Sequence, residues 1–437
     1  MKAESRHRIL LSAYACEPGR GSEPGVGWNW ALSLVRLGHE VWVLTRANNR
    51  ACIEAALRAG VNVDVSKLHF VYYDLPAWAR WWKKGGRGVH LYYALWQRFV
   101  LGIAAQAHRE HRFSVVHHIT LGAWRQPSHL FKLGVPLIFG PVGGGESASW
   151  NLVRTLPALA QAGELMRLVV NWLSLLNPVL RKCLRQAVLV VAKTPQTADW
   201  VRRCGSPCIT SLEIGVDQTI VQFGEQCEAP IRKGPLRCIY AGRLIGWKGV
   251  HLSIEAVAHA RRAGADVSLT VVGSGPMRNA LAGAVELNDV QGVVTFIPWL
   301  AQPTLFAEYR SHDILLFPSF HDSSGNVVLE AFAHGLPVLC FATGGPSVLV
   351  DETNGISVSP IGSAAEGFDP ALRLAAQLIR LTADKLLQTR LASGARATAS
   401  QMEWWAAAQR VYSAINVPDR SNCSADVSTT VRGLAEN

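Results

Sequence analysis

The chain has 437 residues, 49% of them hydrophobic and 17% charged, with a formal net charge of +11. Such a length exceeds what one hydrophobic core organises and predicts two domains of roughly 200 residues each, while the apolar fraction excludes disorder over most of the chain. The positive charge favours anionic partners, whether nucleic acid, an anionic bilayer or phosphorylated small molecules, without choosing among them.

The N-terminal stretch "MKAESRHR" is polar and leads directly into a strand-like run, so no secretory signal peptide is expected there. The nine cysteines are an odd number without a C-x-x-C pair, which reads as reduced thiols in a cytoplasmic protein and no zinc site. The longest apolar region, Leu165 to Ala192, is interrupted by Arg167, Asn171, Asn177, Arg181, Lys182 and Arg185 and fails as a spanning helix. It can still lie on a membrane surface.

Short apolar, β-rich runs recur between helical patterns. In the first half they are "RILLSAYA", "EVWVLT", "LHFVYYD", "SVVHHI", "PLIFGPV", "AVLVVAKT" and "CITSLEI". After Pro235 the pattern restarts with "LRCIYAG", "VSLTVVG", "GVVTFIP", "DILLFPS", "LPVLCFA" and "GISVSP". Strands alternating with helices predict two doubly wound, Rossmann-like domains: residues 1–217, a linker over 218–234, and residues 235–400. The tail from 417 to 437 is polar and irregular and is expected to be disordered. Facing domains of this kind bind ligands in the cleft outside the carboxyl ends of their strands.

Several stretches supply candidate chemistry. Gly19, Gly21, Gly25 and Gly27 follow the first strand and precede the first helix, where a backbone can approach a phosphate or sugar. From Leu75 to Arg109 there is no Asp or Glu, yet Trp78, Trp81, Trp82, Lys83, Lys84 and Arg87 alternate rings with cations, as an interfacial segment on anionic lipid would. A core helix with solvated basic residues is the other reading, and no nucleic-acid-binding motif accompanies the cations. His117 and His118 end a strand on opposite faces, so at most one faces the cleft; His118 is the preferred candidate. In "FGPVGGGES" three glycines permit close backbone approach to an acceptor or to the facing domain, or else a flexible connection, with Glu146 the polar candidate.

In the second domain, "YAGRLIGWKG" places Arg243 and Lys248 in the loop after the first strand. An Arg fork and a Lys point charge suit a diphosphate, although solvated loop charges would look the same. Further on, "LLFPSFHDSSGNVVLEAFAHGLPV" reads as a strand, a turn of small residues and a helix opening near Gly325, Asn326 and Val327. Unpaired N–H groups at that helix start would meet an anion, Glu330 one turn inside would accept hydrogen bonds from vicinal hydroxyls, and Asp322 stands on the loop side. Two acids at this spacing are equally accounted for by a carboxylate complementing the helix dipole.

Taken together, Arg243, Lys248 and "DSSGNVVLE" resemble the glycosyltransferase family 4 members of the GT-B fold, whose signature is a Glu, seven residues and a second Glu within E-G-x-G-x-V-x-L-E. Gly325, Val327, Leu329 and Glu330 match; Asp322 replaces the first Glu and draws its carboxylate back by roughly 1.5 Å. "LGHEVWVLT", "EIGVD" at Glu213 to Asp217, "GGPSVLVDETNGISV" and "EWWAAAQRVYSAI" resemble further family segments, the last a helix over about 402–416 that crosses back to the first domain. The histidine pattern departs, with Ile119 in place of the family's last His and Ser114 in place of its Asp.

The resemblance implies a retaining, hexosyl-type transferase that takes a nucleotide-diphosphate sugar as donor and needs neither metal nor bound cofactor. Arg243 and Lys248 would hold the phosphates, supported by the backbone from Gly325 through Asn326 and Val327; Glu330 would bind the ribose, and the loop at Gly21 would close from the other side. Asp322, Glu330 and His118 are the catalytic candidates. With the basic aromatic segment, the expected acceptor is a lipid-linked glycan of bacterial polysaccharide assembly. The expected location is cytoplasmic, peripheral on the inner face of the plasma membrane, with anionic lipid and no nucleic acid as partner. The rival expectation is a GT-B protein that binds nucleotide or glycan without turnover. A nucleotide-sugar epimerase of the same fold is disfavoured by the family 4 motif.

Overall fold

The computed structural model describes residues 6–80, 88–217, 220, 234–362 and 368–415. Both predicted parallel sheets form, and all thirteen predicted strands are present. The first sheet contains β1 (Arg8–Ser12), β2 (Glu40–Thr45), β3 (Leu68–Tyr72), β4 (Val115–His118), β5 (Leu137–Val142), β6 (Ala187–Ala192) and β7 (Cys208–Thr210), in the order β3-β2-β1-β4-β5-β6-β7. The second contains β8 (Leu236–Ala241), β9 (Val267–Val272), β10 (Val294–Ile297), β11 (Ile314–Phe317), β12 (Val338–Phe341) and β13 (Gly355–Val358), in the order β10-β9-β8-β11-β12-β13. In each sheet the order reverses beside the first strand, which opens a crevice at the carboxyl ends there.

The helices that position the site are α1 (Ser22–Arg36), α2 (Val89–His111), α3 (Ala158–Ser174), α4 (Pro178–Gln186), α5 (Val250–Arg262), α6 (Gln302–Ser311), α7 (Asn326–Ala333) and α8 (Trp404–Ser413). Period-two alternation distributes β1 between two cores. Ile9 and Leu11 pack with Trp30, Val43 and the α8 residues Ala407, Ala408 and Val411. Leu10 packs on the other face with Trp42, Tyr93 and Trp96. The last helix therefore belongs to the first domain's core, although the chain reaches it from the second. Its entry is fixed where Val216 pairs in parallel with Glu403, with the Val216 N–H donating to the Met402 carbonyl at 2.9 Å. Trp30, fully buried, donates its indole N–H to the Glu213 carbonyl at 2.8 Å.

The aromatic segment from Leu75 to Arg109 divides. Tyr92, Tyr93 and Trp96 are core residues of α2 itself, because their spacing puts them on the helix face that packs on the sheet; Trp78 is 72% exposed. Trp81, Trp82, Lys83, Lys84 and Arg87, and most of the 218–234 linker and the 417–437 tail, lie outside the described residues.

Candidate functional site

Two loops face each other across the cleft. The first runs from Gly19 into α1. Gly25 and Gly27 serve chain packing, since a Cβ on either would stand 2.0 Å from a backbone carbonyl, that of Arg20 or Ala15. Gly21 is different: its Cβ position points at Glu330 Oε1, 3.9 Å away. Ser22, with a φ of 60°, holds the strained turn into the helix.

The second loop runs from Asp322 to Gly325, whose φ of 74° permits the turn that caps α7. Asp322 Oδ1 accepts from the N–H groups of Ser324 and Gly325 at 3.2 and 3.3 Å, and Oδ2 pairs with the Lys248 ammonium. Burial works against ionisation of Asp322, but Lys248 and the two backbone donors hold the carboxyl below its usual range. The next N–H groups, on Asn326 and Val327, open the helix and by position have no intrahelical acceptor.

Between the loops lies a cavity of about 190 Å³, lined among others by Gly21, Trp28, Asp217, Gln302, Asn326 and Glu330, with Trp404 of α8 closing one side. Glu330 is half-buried, and desolvation pushes its carboxyl up to about 7, opposed by the hydrogen bond that Gln302 donates at 3.2 Å. A carboxylate with one weak partner, set in a cleft beside a helix start, can take two hydroxyl donors while an anion sits at the N–H groups.

Of the predicted residues, Gly21, Asn326 and Glu330 line this cavity, Gly325 shapes the start of the helix, and Val327 packs partly against the second domain's core. Arg243 stands exposed after β8, and Lys248 is joined to Asp322 rather than free. His118 does not reach the cleft. It is 1% exposed, with Nε2 2.9 Å from the Tyr93 hydroxyl and Gln97 beside it; burial lowers it to about 3. His117 faces the opposite layer, with the Gly140 carbonyl at 2.8 Å and Tyr412 at 3.2 Å, and burial lowers it to about 4. Helices cover both faces of a parallel sheet, so alternation sends either side chain into a packed layer, and only residues past the strand end see the cleft.

The domains meet a second time, around a residue that sequence reasoning missed. Lys193, at the end of β6 and 4% exposed, pairs with Glu213 at 2.5 Å and Glu23 at 3.4 Å and donates to the Ser324 hydroxyl at 3.2 Å. Ser324 also donates to Glu213 at 2.6 Å. Burial works against the ammonium, but Glu213, and then Glu23, raise it above its ordinary value. Glu146, fully buried, accepts from Thr194, Thr197, the Gly144 N–H and, across the cleft, the Ser323 hydroxyl. Burial opposes its charge, but the hydroxyl and backbone donors outweigh that cost and lower its range. Beside it, the glycine run is packed: a Cβ on Gly143 would be 2.8 Å from Ser323 Cβ. A Lys ending an otherwise apolar strand in "AVLVVAKT" was the available signal.

Two mutually facing Rossmann-like domains with a ligand cavity at their switch points define a GT-B architecture. Residues 235–384 match the family described as Glycosyl transferases group 1. A D-inositol 3-phosphate glycosyltransferase of Corynebacterium kroppenstedtii is 30% identical over 213 residues, 46% of this chain and 45% of its own length. A glycogen synthase of Mycobacterium tuberculosis is 30% identical over 153 residues, 35% of this chain and 36% of its own. The chain thus spans less than half the length of these relatives. Among solved structures, sucrose-phosphate synthase from Thermosynechococcus elongatus superposes with a TM-score of 0.60 at 19% identity, covering 93% of this chain and 97% of its own. Anabaena HepE in complex with UDP and glucose gives 0.54 at 17% identity, covering 93% and 99%. These two share the fold.

Proposed function

We propose that the chain is a retaining glycosyltransferase that moves a sugar from a nucleotide-diphosphate sugar to a hydroxyl of a lipid-linked glycan in bacterial polysaccharide assembly, working peripherally on the inner membrane face. The observation that carries this reading is Glu330, poised between Gln302 and Gly21 one turn inside a helix whose first N–H groups open onto the same cavity. In this reading Glu330 accepts from the ribose hydroxyls, while the Asn326 and Val327 N–H groups and the exposed Arg243 meet the diphosphate. The negative charge that develops on the leaving diphosphate is stabilised by these donors, fixed before the reaction begins and requiring no metal. The sugar passes to the acceptor oxygen, the acceptor proton leaves to solvent, and nucleotide diphosphate is released. The names of the relatives and the UDP complex of the structural neighbour support a nucleotide-sugar donor. Among the described residues no helix is long and apolar enough to cross a membrane.

One observation favours the rival reading of binding without turnover: both oxygens of Asp322 are engaged by Lys248 and the loop backbone. Nucleotide diphosphate release from a panel of UDP- and GDP-sugars, with and without bacterial membrane lipid extract, separates the two. Lipid-dependent release with one donor, abolished in Glu330→Ala, is the expected result. Nucleotide binding with no release under any condition would make the protein a non-catalytic binder.

A further inference from the structure

Helix α3 is built inside out. Its one buried residue is Asn171, at 1% exposure, whereas Leu165, Met166, Trp172 and Leu173 are each more than half exposed, as is Leu176 just beyond the helix. A helix with this pattern has its apolar stripe facing away from the protein. Cations lie on it and on the helix that follows. Arg203 lies over the Trp172 ring at 5.1 Å, and Arg181, Lys182 and Arg185 of α4 share one shallow depression. No Asp or Glu occurs from Leu165 to Ala198.

The apolar face runs into a second cavity, of about 170 Å³, separate from the one at Glu330 and lined by Glu146, Trp150, Glu164, Arg167, Leu168 and Asn171. Its carboxylates are already occupied: Glu146 by its hydroxyl and backbone donors, with Arg167 at 3.7 Å, and Glu164 by His321 at 2.8 Å. Its unused polar atoms are donors. Asn171 Nδ2 and Arg167 Nε are both buried without a partner, while Asn171 Oδ1 is taken by Arg125 at 2.9 Å. Buried N–H groups left unpaired are costly, so the occupant brings acceptor oxygens. Burial, and then the neighbouring Arg167, draw Arg125 below its ordinary range. Glu146 connects this place to the donor loop, since it also holds the Ser323 hydroxyl at 3.1 Å.

We propose that the cavity between the Gly143–Ser147 loop and α3 binds the anionic, oxygen-bearing head of an amphiphile, with the amphiphile's apolar chain lying along the exposed face of α3. Resting on the transferase reading, this is the site for the lipid end of the acceptor, and it identifies the lipid-linked glycan as one carried on a phosphate. Arg167 and Asn171 hold the head, Leu165 and Leu168 lie at the mouth where the chain leaves the cavity, and Trp172 and Leu173 continue the path outward.

The test is calorimetric titration of the full chain with dodecyl phosphate below its micellar concentration, with inorganic phosphate and dodecanol as separate arms. The native protein is expected to bind dodecyl phosphate at least about tenfold more tightly than either fragment, because both the head and the chain contribute. Arg167→Gln, and independently Trp172→Gln with Leu173→Gln, should each weaken binding about tenfold or more while leaving UDP or GDP affinity unchanged. The second variant alters only exposed side chains, so it tests the site even if the first fails to fold. Equal affinity in the native protein and the exposed-face variant, or no binding, would overturn the proposal. So would binding to phosphatidylglycerol vesicles without binding of the monomeric amphiphile, which would make α3 a bilayer contact, or a dimer that Trp172→Gln dissociates. Nucleotide binding that persists through any of these outcomes leaves the transferase reading standing; nucleotide binding absent throughout removes that reading independently of the amphiphile result.

Discussion

The loop from Asp322 to Gly325 and the helix α7 that it opens meet the first domain in two places, and the two meetings are chemically opposite. On one side Ser323 and Ser324 enter a seam in which Lys193 pairs with Glu213 and Glu23, Ser324 donates to Glu213, and Ser323 donates to Glu146, at distances from 2.5 to 3.4 Å. On the other, Glu330 stands in a cavity opposite a glycine with a single amide for company. The carboxylates of the seam are spent on holding domains together, and the donors around Glu146 lower its range. Glu330 is held near its titration point and remains available. Carboxylates in one cleft thus differ in role because of how many donors surround each, which is a property of long-range packing rather than of local sequence.

Removing the cation from the seam should produce the largest effect. Lys193→Met leaves Glu213 buried and uncompensated, and a loss of about 3–5 kcal/mol in unfolding free energy is expected, read from the first thermal transition. A stability equal to the native protein's would mean that the seam is hydrated rather than closed. On the open side, Glu330→Gln should weaken nucleotide diphosphate binding roughly 10- to 100-fold, the worth of one or two charged hydrogen bonds of about 1.5 kcal/mol each, with little change in thermal midpoint.

A finer distinction comes from pH. A carboxyl raised to about 7 is mostly protonated at pH 6 and mostly ionised at pH 8. Because the ribose needs the ionised form as acceptor, nucleotide affinity in the native protein should rise about tenfold over that interval and stay flat in Glu330→Gln. A flat native profile would place Glu330 outside the binding site. The smallest effect belongs to Gly21→Ala. Its added methyl would sit 3.9 Å from Glu330 Oε1, an ordinary contact, so nucleotide affinity should change less than about threefold.

Every strand was legible because strands of a doubly covered parallel sheet are buried on both faces and read as continuous apolar runs. The helix-start site was legible because Gly325, Asn326 and Glu330 are neighbours in sequence. The same double covering defeated the reading of His118: alternation correctly separated it from His117, but both directions lead into packed layers. Lys193 was overlooked because its partners Glu23, Glu213 and Ser324 are 170, 20 and 131 positions away and converge only through the fold. The inside-out α3 was visible only as an interrupted apolar run; which of its faces is buried depends on Asn171 finding Arg125 across 46 positions.

The return of the chain through α8 has a mechanical consequence. The polypeptide passes between the domains twice, and the two passages are fastened side by side where Val216 pairs with Glu403. Any rigid rotation of one domain against the other that breaks neither passage must pivot close to that pair. The seam at Lys193 would then act as the catch, and the wall of the cavity formed by Trp404, the neighbour of Glu403 at the pivot, would move least as the cleft opens and shuts.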